Sequence, residues 1–146
     1  MEKHIKKVAQ SAHFAIRNIG RIRQYLDKSS AEKLIHAFVT SRLDNCNILL
    51  YGMPKTQLNH LQRVQNIAAR LVARNKKSPD LASLHWLPVA QRTVFKVLLM
   101  TYKALNGFAP TYVREMITPY EPVRPLRTLS TRALVPAQGK TKTYGE

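Results

Sequence analysis

Carboxylates, thiols and imidazoles are the side chains best suited to chemistry, and here they are sparse and scattered. The aspartates Asp27, Asp44 and Asp80 are each isolated in sequence. Two-metal phosphoryl chemistry needs carboxylates converging on ions about 3.5–4 Å apart, to clamp both the attacking and the leaving oxygen. Gly20, Gly52, Gly107, Gly139 and Gly145 stand far apart, so no glycine-rich turn is available to cradle a phosphate. Cys46 is the single cysteine and lies in an apolar stretch without a basic neighbour. It therefore reads as a buried, inert thiol rather than a nucleophile. His85 next to Trp86 offers a stacking face and a phosphate ligand. The plainer reading is that residues 84–88 (Leu-His-Trp-Leu-Pro) plug the core between two helices, with His85 satisfied by a backbone carbonyl. The chain is thus predicted to be no enzyme and to hold no metal or cofactor.

The positive signal is cationic. Twenty-four Lys and Arg face eight Asp and Glu, for a formal charge of +16. Such an excess destabilises a compact monomer by self-repulsion unless a polyanion offsets it. The bias is uneven: residues 1–78 carry 15 basic and 4 acidic side chains, residues 79–146 carry 9 and 4. Arg63, Asn66, Arg70 and Arg74 recur every three or four residues, so on a helix they line one face, flanked by Gln62 and Gln65. Lys6, Lys7, Arg17, Arg21 and Arg23 upstream, with Lys76 and Lys77 downstream, add to it. A merely solvated face usually mixes both signs. Lys6, Lys7, Arg17, Arg21, Arg63, Asn66, Arg70, Arg74, Lys76 and Lys77 are therefore the predicted nucleic-acid contacts, forming one continuous strip for a phosphate backbone.

The elements that must carry these side chains follow from apolar periodicity. Over residues 3–26, Ile5, Val8, Ala9, Ala12, Ile16, Ile19, Ile22 and Leu26 give a first helix one buried stripe. Ser29 and Glu32 read as a capping box for a second helix. Its inward side chains are Leu34, Ile35, Phe38, Val39 and Leu43, and residues 48–51 continue it until Gly52 and Pro54. Thr56 caps a third helix with Leu58, Leu61, Val64, Ala68, Leu71 and Val72 inside. Pro88 suits the first position of a fourth, which carries Val89, Val94, Phe95, Val97, Leu98, Leu99, Tyr102 and Leu105 and stops at Asn106-Gly107. Residues 110–117 make a short fifth helix. Beyond it, Pro119, Pro122, Pro125 and Pro136 interrupt Arg124, Arg127 and Arg132, and no periodicity persists. The prediction is all-α: a helical bundle over residues 1–117, then an extended or disordered basic tail over 118–146. No run approaches the ~20 apolar residues of a membrane span. The lone cysteine and the absence of a signal-peptide pattern at the start point to an intracellular protein, in nucleus or cytoplasm.

Separated blocks of this sequence resemble the region just downstream of the reverse transcriptase catalytic domain in LINE-type, non-LTR retrotransposon polyproteins of animals. They are Leu43-Asp44-Asn45-Cys46-Asn47 through Leu50-Tyr51-Gly52-Met53-Pro54; Leu61-Gln62-Arg63-Val64-Gln65-Asn66 with Ala68-Ala69-Arg70-Leu71-Val72; and Leu84-His85-Trp86-Leu87-Pro88-Val89. Tyr102-Lys103-Ala104-Leu105-Asn106-Gly107 with Ala109-Pro110 follows, then Thr141-Lys142-Thr143-Tyr144-Gly145. Two features depart from the pattern: Asn45 stands where an aromatic residue is common, and the link from Val72 to Leu84 is short. The resemblance implies a helical thumb or post-thumb element that grips template and primer while chemistry occurs on a palm upstream of Met1. It implies RNA, DNA or an RNA–DNA hybrid as partner, and carries no polymerase activity to this chain. The rival expectation is a helical interaction module that packs on the missing palm or on a second copy of itself, or a truncated retroelement product without a role.

Overall fold

The computed structural model describes residues 2–74, 81–120 and 133–135. Six α-helices follow one another among these residues: α1 (Glu2–Ile22), α2 (Lys28–Ile35), α3 (Ser41–Asp44), α4 (Lys55–Ala73), α5 (Val89–Leu105) and α6 (Thr111–Glu115). The expected all-α class is what forms. The chain divides into two compact units, Met1–Lys96 and Val97–Glu146.

In the first unit, α1 packs along α4 and across α2 and α3. The stripes from Ile5 to Ile19 and from Leu61 to Val72 are buried as their spacing predicts. Between α2 and α3 the backbone widens into a π-helical turn, His36–Thr40. Its cause is visible in the side chains it aligns. Ala31, Ile35, Val39 and Leu43 are all buried at strict spacings of four, whereas an α-helix drifts by about 40° every four residues. A widened turn absorbs the drift and keeps one apolar line on the core. Phe38, expected inside, is consequently displaced to the surface and is 50% exposed.

Three local expectations are corrected. The cap of α2 is Asp27, not Ser29: its carboxylate accepts the backbone N–H groups of Ser29 and Ser30, which holds the Asp27 carboxyl below its usual range, the Ser30 bonds contributing most. Glu32 is drawn away from any capping box, because its carboxylate accepts the indole N–H of Trp86 at 3.2 Å. The helix does not run on through Cys46. It stops at Asp44, Cys46 takes a left-handed conformation (φ 54°) with an exposed side chain, and a 3-10 turn follows over Asn47–Leu50. Pro54, not Thr56, precedes α4, with no side-chain cap.

The plug around Trp86 forms where it was expected. Leu84 and Trp86 are each 6% exposed and belong to the core, and His36 meets the indole edge-on at a centroid distance of 5.2 Å. His85, by contrast, is exposed with φ 55° rather than packed inside. Pro88 immediately precedes α5, whose first amide, Val89 N–H, donates to the Gln62 side-chain oxygen at 2.9 Å.

In the second unit, α5 ends as expected. Gly107 has φ 78° and the Phe108 N–H donates back to the Lys103 carbonyl at 2.8 Å, closing the helix with a glycine in the left-handed region. Of the apolar stripe expected along α5, the part in this unit is largely not buried: Leu98 and Tyr102 are 62% and 61% exposed. Of residues 118–146, the described part is extended and paired. Tyr120 N–H donates to Ala133 O and Val135 N–H to Thr118 O, around an isolated bridge between Pro119 and Leu134.

Candidate nucleic-acid interface

Each predicted contact inherits its position from the helix that carries it. On α1 the buried stripe fixes the opposite face, and Lys3, Lys6, Lys7, Gln10, Arg17 and Arg21, all exposed, fall on that face. At 1.5 Å per residue, the row from Lys3 to Arg21 is about 27 Å long, matching roughly eight phosphates of one strand at about 3.4 Å each. The acidic residue of α1, Glu2, is held by Lys6 at 2.8 Å. The Lys6 hydrogen bond, and then its charge, keep the Glu2 carboxyl below its ordinary value. Among the described residues no carboxylate pairs with Lys7, Arg17 or Arg21. Lys3 and Gln10 belong to this row and were missed, although their spacing of four from Lys7 and three from Lys7 respectively was readable.

The face expected on α4 is divided among different tasks. Arg63 is exposed and points away from the core, with Lys55 and Asn59 on the same side. Arg70 is half-buried and its Nε donates to the Asn66 carbonyl one turn back. Asn66 accepts from the Gln62 side-chain amide at 2.8 Å. Of the flanking glutamines, Gln65 is buried and Gln62 half-buried. Gln65 is 2% exposed and donates to the Leu87 carbonyl at 2.8 Å, while Gln62 caps α5. Together they clamp residues 87–89 to α4. Buried amides that satisfy backbone groups are structural, since leaving those groups unpaired would cost about 1–3 kcal/mol each.

Arg74 is likewise withdrawn from the predicted interface. In a left-handed conformation (φ 51°) at the end of α4, it turns its guanidinium onto the carbonyls of Arg23, Gln24 and Leu26. Arg23 answers in the opposite direction: it is buried, and donates to Leu71 O (2.9 Å), Val72 O (2.7 Å) and Leu26 O (2.7 Å). Each arginine thus donates to backbone carbonyls near the end of the other's segment, where the helix dipole favours a cation. Burial, and then the charge of Arg74, push the Arg23 pKa down, yet a guanidinium stays protonated at any physiological pH. Lys76 and Lys77 lie outside the described residues.

The single continuous strip predicted across the first and third helices is therefore corrected. α1 and α4 pack on each other, and their free cations occupy the faces turned away from the shared core. Of the cations expected on α4, Arg74 is drawn to backbone carbonyls and Arg70 is half-buried, so α1 carries the longer exposed row.

Acids and thiols are placed as follows. Asp27 caps α2, and Asp44 receives Arg92 at 2.9 Å and the Asn47 amide; Asp80 lies outside the described residues. Cys46 is exposed. Among the described residues no three His, Cys, Asp or Glu side chains come together as a metal site, and no helix is long and apolar enough to cross a membrane. Comparison of the chain with known protein families, with curated proteins and with solved structures returns no match.

Proposed function

We propose that this chain is a non-catalytic helical module that holds nucleic acid through phosphate contacts along the outward face of α1. The observation that carries the reading is the row Lys3, Lys6, Lys7, Arg17 and Arg21 on one face of a 21-residue helix, with Glu2 as its acidic member. Phosphate contacts position a strand without reading its bases, so two cationic clusters on one face, Lys3 to Lys7 and Arg17 to Arg21, are sufficient, and carboxylates would oppose them. Arg63 and Lys55 on α4 form a secondary ridge. The retroelement resemblance gives this module a setting: a thumb-like part of a reverse transcriptase, gripping an RNA–DNA hybrid while catalysis takes place on a palm outside this chain.

The test is the salt dependence of binding to a fluorescently labelled RNA–DNA hybrid. Neutralising four or five phosphates predicts that log affinity falls by roughly 3 to 4.5 per log unit of salt. A flat response excludes phosphate-driven binding.

A further inference from the structure

Between α1 and the helical stretch from α2 to α3 runs an apolar groove of about 380 Å³. Its floor is Ala15, Ile19 and Leu34, and its lips are Phe14, Ile22 and Phe38. The lips are 63%, 46% and 50% exposed. Singly exposed apolar side chains are ordinary, whereas here two phenylalanines and an isoleucine edge one apolar groove. Two regular rows build it: Phe14, Asn18 and Ile22 on α1, and Leu34, Phe38 and Arg42 at spacings of four on the other side. The second row is straight because of the π turn that also places Phe38 outward. Arg42 closes one end by donating to the Ser11 carbonyl and hydroxyl of α1.

The groove extends about 12 Å from Phe14 to Ile22, two helical turns, which suits a helix docked by apolar anchors at i, i+3 or i+4, and i+7. Charge selects among possible helices. Arg17 and Arg21 lie one turn from Phe14 and Asn18 on the solvent side, Arg42 lies at the end, and no acidic residue lines the groove. A second copy of this chain is poorly matched. The chain has eight acids in all, and Glu2, Asp27, Glu32 and Asp44 are already engaged by Lys6, the Ser29 and Ser30 amides, Trp86, and Arg92. The stretch 121–146 carries Arg124, Arg127, Arg132, Lys140 and Lys142 against Glu121 and Glu146, so it too would be repelled.

We propose that this groove receives an amphipathic helix of another protein, with apolar anchors on one face and acidic residues along one edge. The proposal does not depend on the nucleic-acid reading, although the two ligands would compete for Arg17 and Arg21. The probe is a labelled synthetic helix with Leu at i, i+4 and i+7 and Glu along one flank, compared with the same helix carrying Lys in place of Glu. Binding of the Glu peptide to the full chain is expected, at least tenfold weaker binding of the Lys peptide, and a tenfold or larger loss for Phe14→Ala with Phe38→Ala. Both phenylalanines are half or more exposed, so the variant should keep its helical circular dichroism. It should also keep its affinity for an RNA–DNA hybrid, which separates failure of the groove from failure of the α1 row. Equal binding of both peptides, no loss in the double variant, or no peptide binding overturns the proposal. So does a sedimenting dimer of the chain alone that the same variant abolishes, because the occupant would then be a second copy.

Discussion

Two sets of arginines in this chain carry the same charge and do opposite things. Arg17 and Arg21 sit mid-face on α1, exposed and opposite the core. Arg23, two residues further on, is 7% exposed and exchanges carbonyl contacts with the end of α4, where Arg74 reciprocates. The difference lies in where the helix ends. Inside a helix most carbonyls already accept an amide, and a guanidinium shares one only where it can fold back, as Arg70 does onto Asn66 O; Arg17 and Arg21 stay exposed. At a helix end the last carbonyls are free and attract it. Which backbone carbonyls lie within reach, rather than residue type, separates the cations left exposed from those holding the bundle together.

The sharpest way to break that comparison is Arg23→Ala. Its three backbone acceptors, one in a buried and two in a partly buried setting, would lose their donor, and a loss of about 2–4 kcal/mol is expected, read as a shift of the urea midpoint. A shift below about 0.5 kcal/mol would mean that Arg23 is not structural. Arg74→Ala should cost less, about 1–2 kcal/mol, since its bonds reach 3.4 and 3.5 Å in two of three cases and it remains exposed. Combining the two should give less than the sum, because each substitution disrupts the junction that the other also holds. Charge reversal of Lys7, Arg17 and Arg21 should by contrast leave stability within about 0.5 kcal/mol per site, as for ordinary surface positions.

A smaller effect is expected in acid. The Asp27 and Glu2 carboxyls are held below their ordinary values by the amides of α2 and by Lys6. Groups depressed in the folded state contribute stability that is complete above their unfolded pKa and lost as pH falls through the folded one. Helicity should therefore hold from neutrality down to about pH 5 and decline below the ordinary carboxylate range near pH 4. Asp27→Asn should flatten that decline, as followed by circular dichroism; an unchanged acid profile would remove Asp27 from the account.

Much of the bundle was legible in the sequence because apolar spacing is a one-dimensional signal. The stripes of α1 and α4, the plug at Trp86 and the stop at Gly107 needed no knowledge of neighbours. What was not legible depended on long-range partners. Gln62 and Gln65 have the spacing of surface residues and act as clamps, Gln65 buried and Gln62 half-buried, only because residues 87–89 return against α4. Glu32 satisfied a local capping pattern, yet Trp86, fifty-four residues away, holds it instead. Arg74 extended the periodicity of Arg63 and Arg70 on paper, but the helix ends at Ala73 and the next residue turns left-handed. Phe38 and Cys46 were read as interior because an unbroken α-helix was assumed through a stretch that widens and then breaks. The geometry of the candidate face was accordingly half legible: the α1 cations are exposed on one side as their spacing predicts, with Lys3 and Gln10 beside them, while Gln65 and Arg74 are engaged within the bundle.

The most direct test compares two triple charge reversals of equal net charge. Lys7→Glu with Arg17→Glu and Arg21→Glu strips the α1 row, and Lys55→Glu with Arg63→Glu and Arg70→Glu strips the α4 ridge. Anisotropy with a labelled RNA–DNA hybrid at fixed salt should show affinity lost at least a hundredfold in the first and less than tenfold in the second, with both proteins folded by circular dichroism. Equal losses would mean that overall charge, not the α1 face, attracts the nucleic acid, and an unaffected α1 variant would contradict the assignment outright.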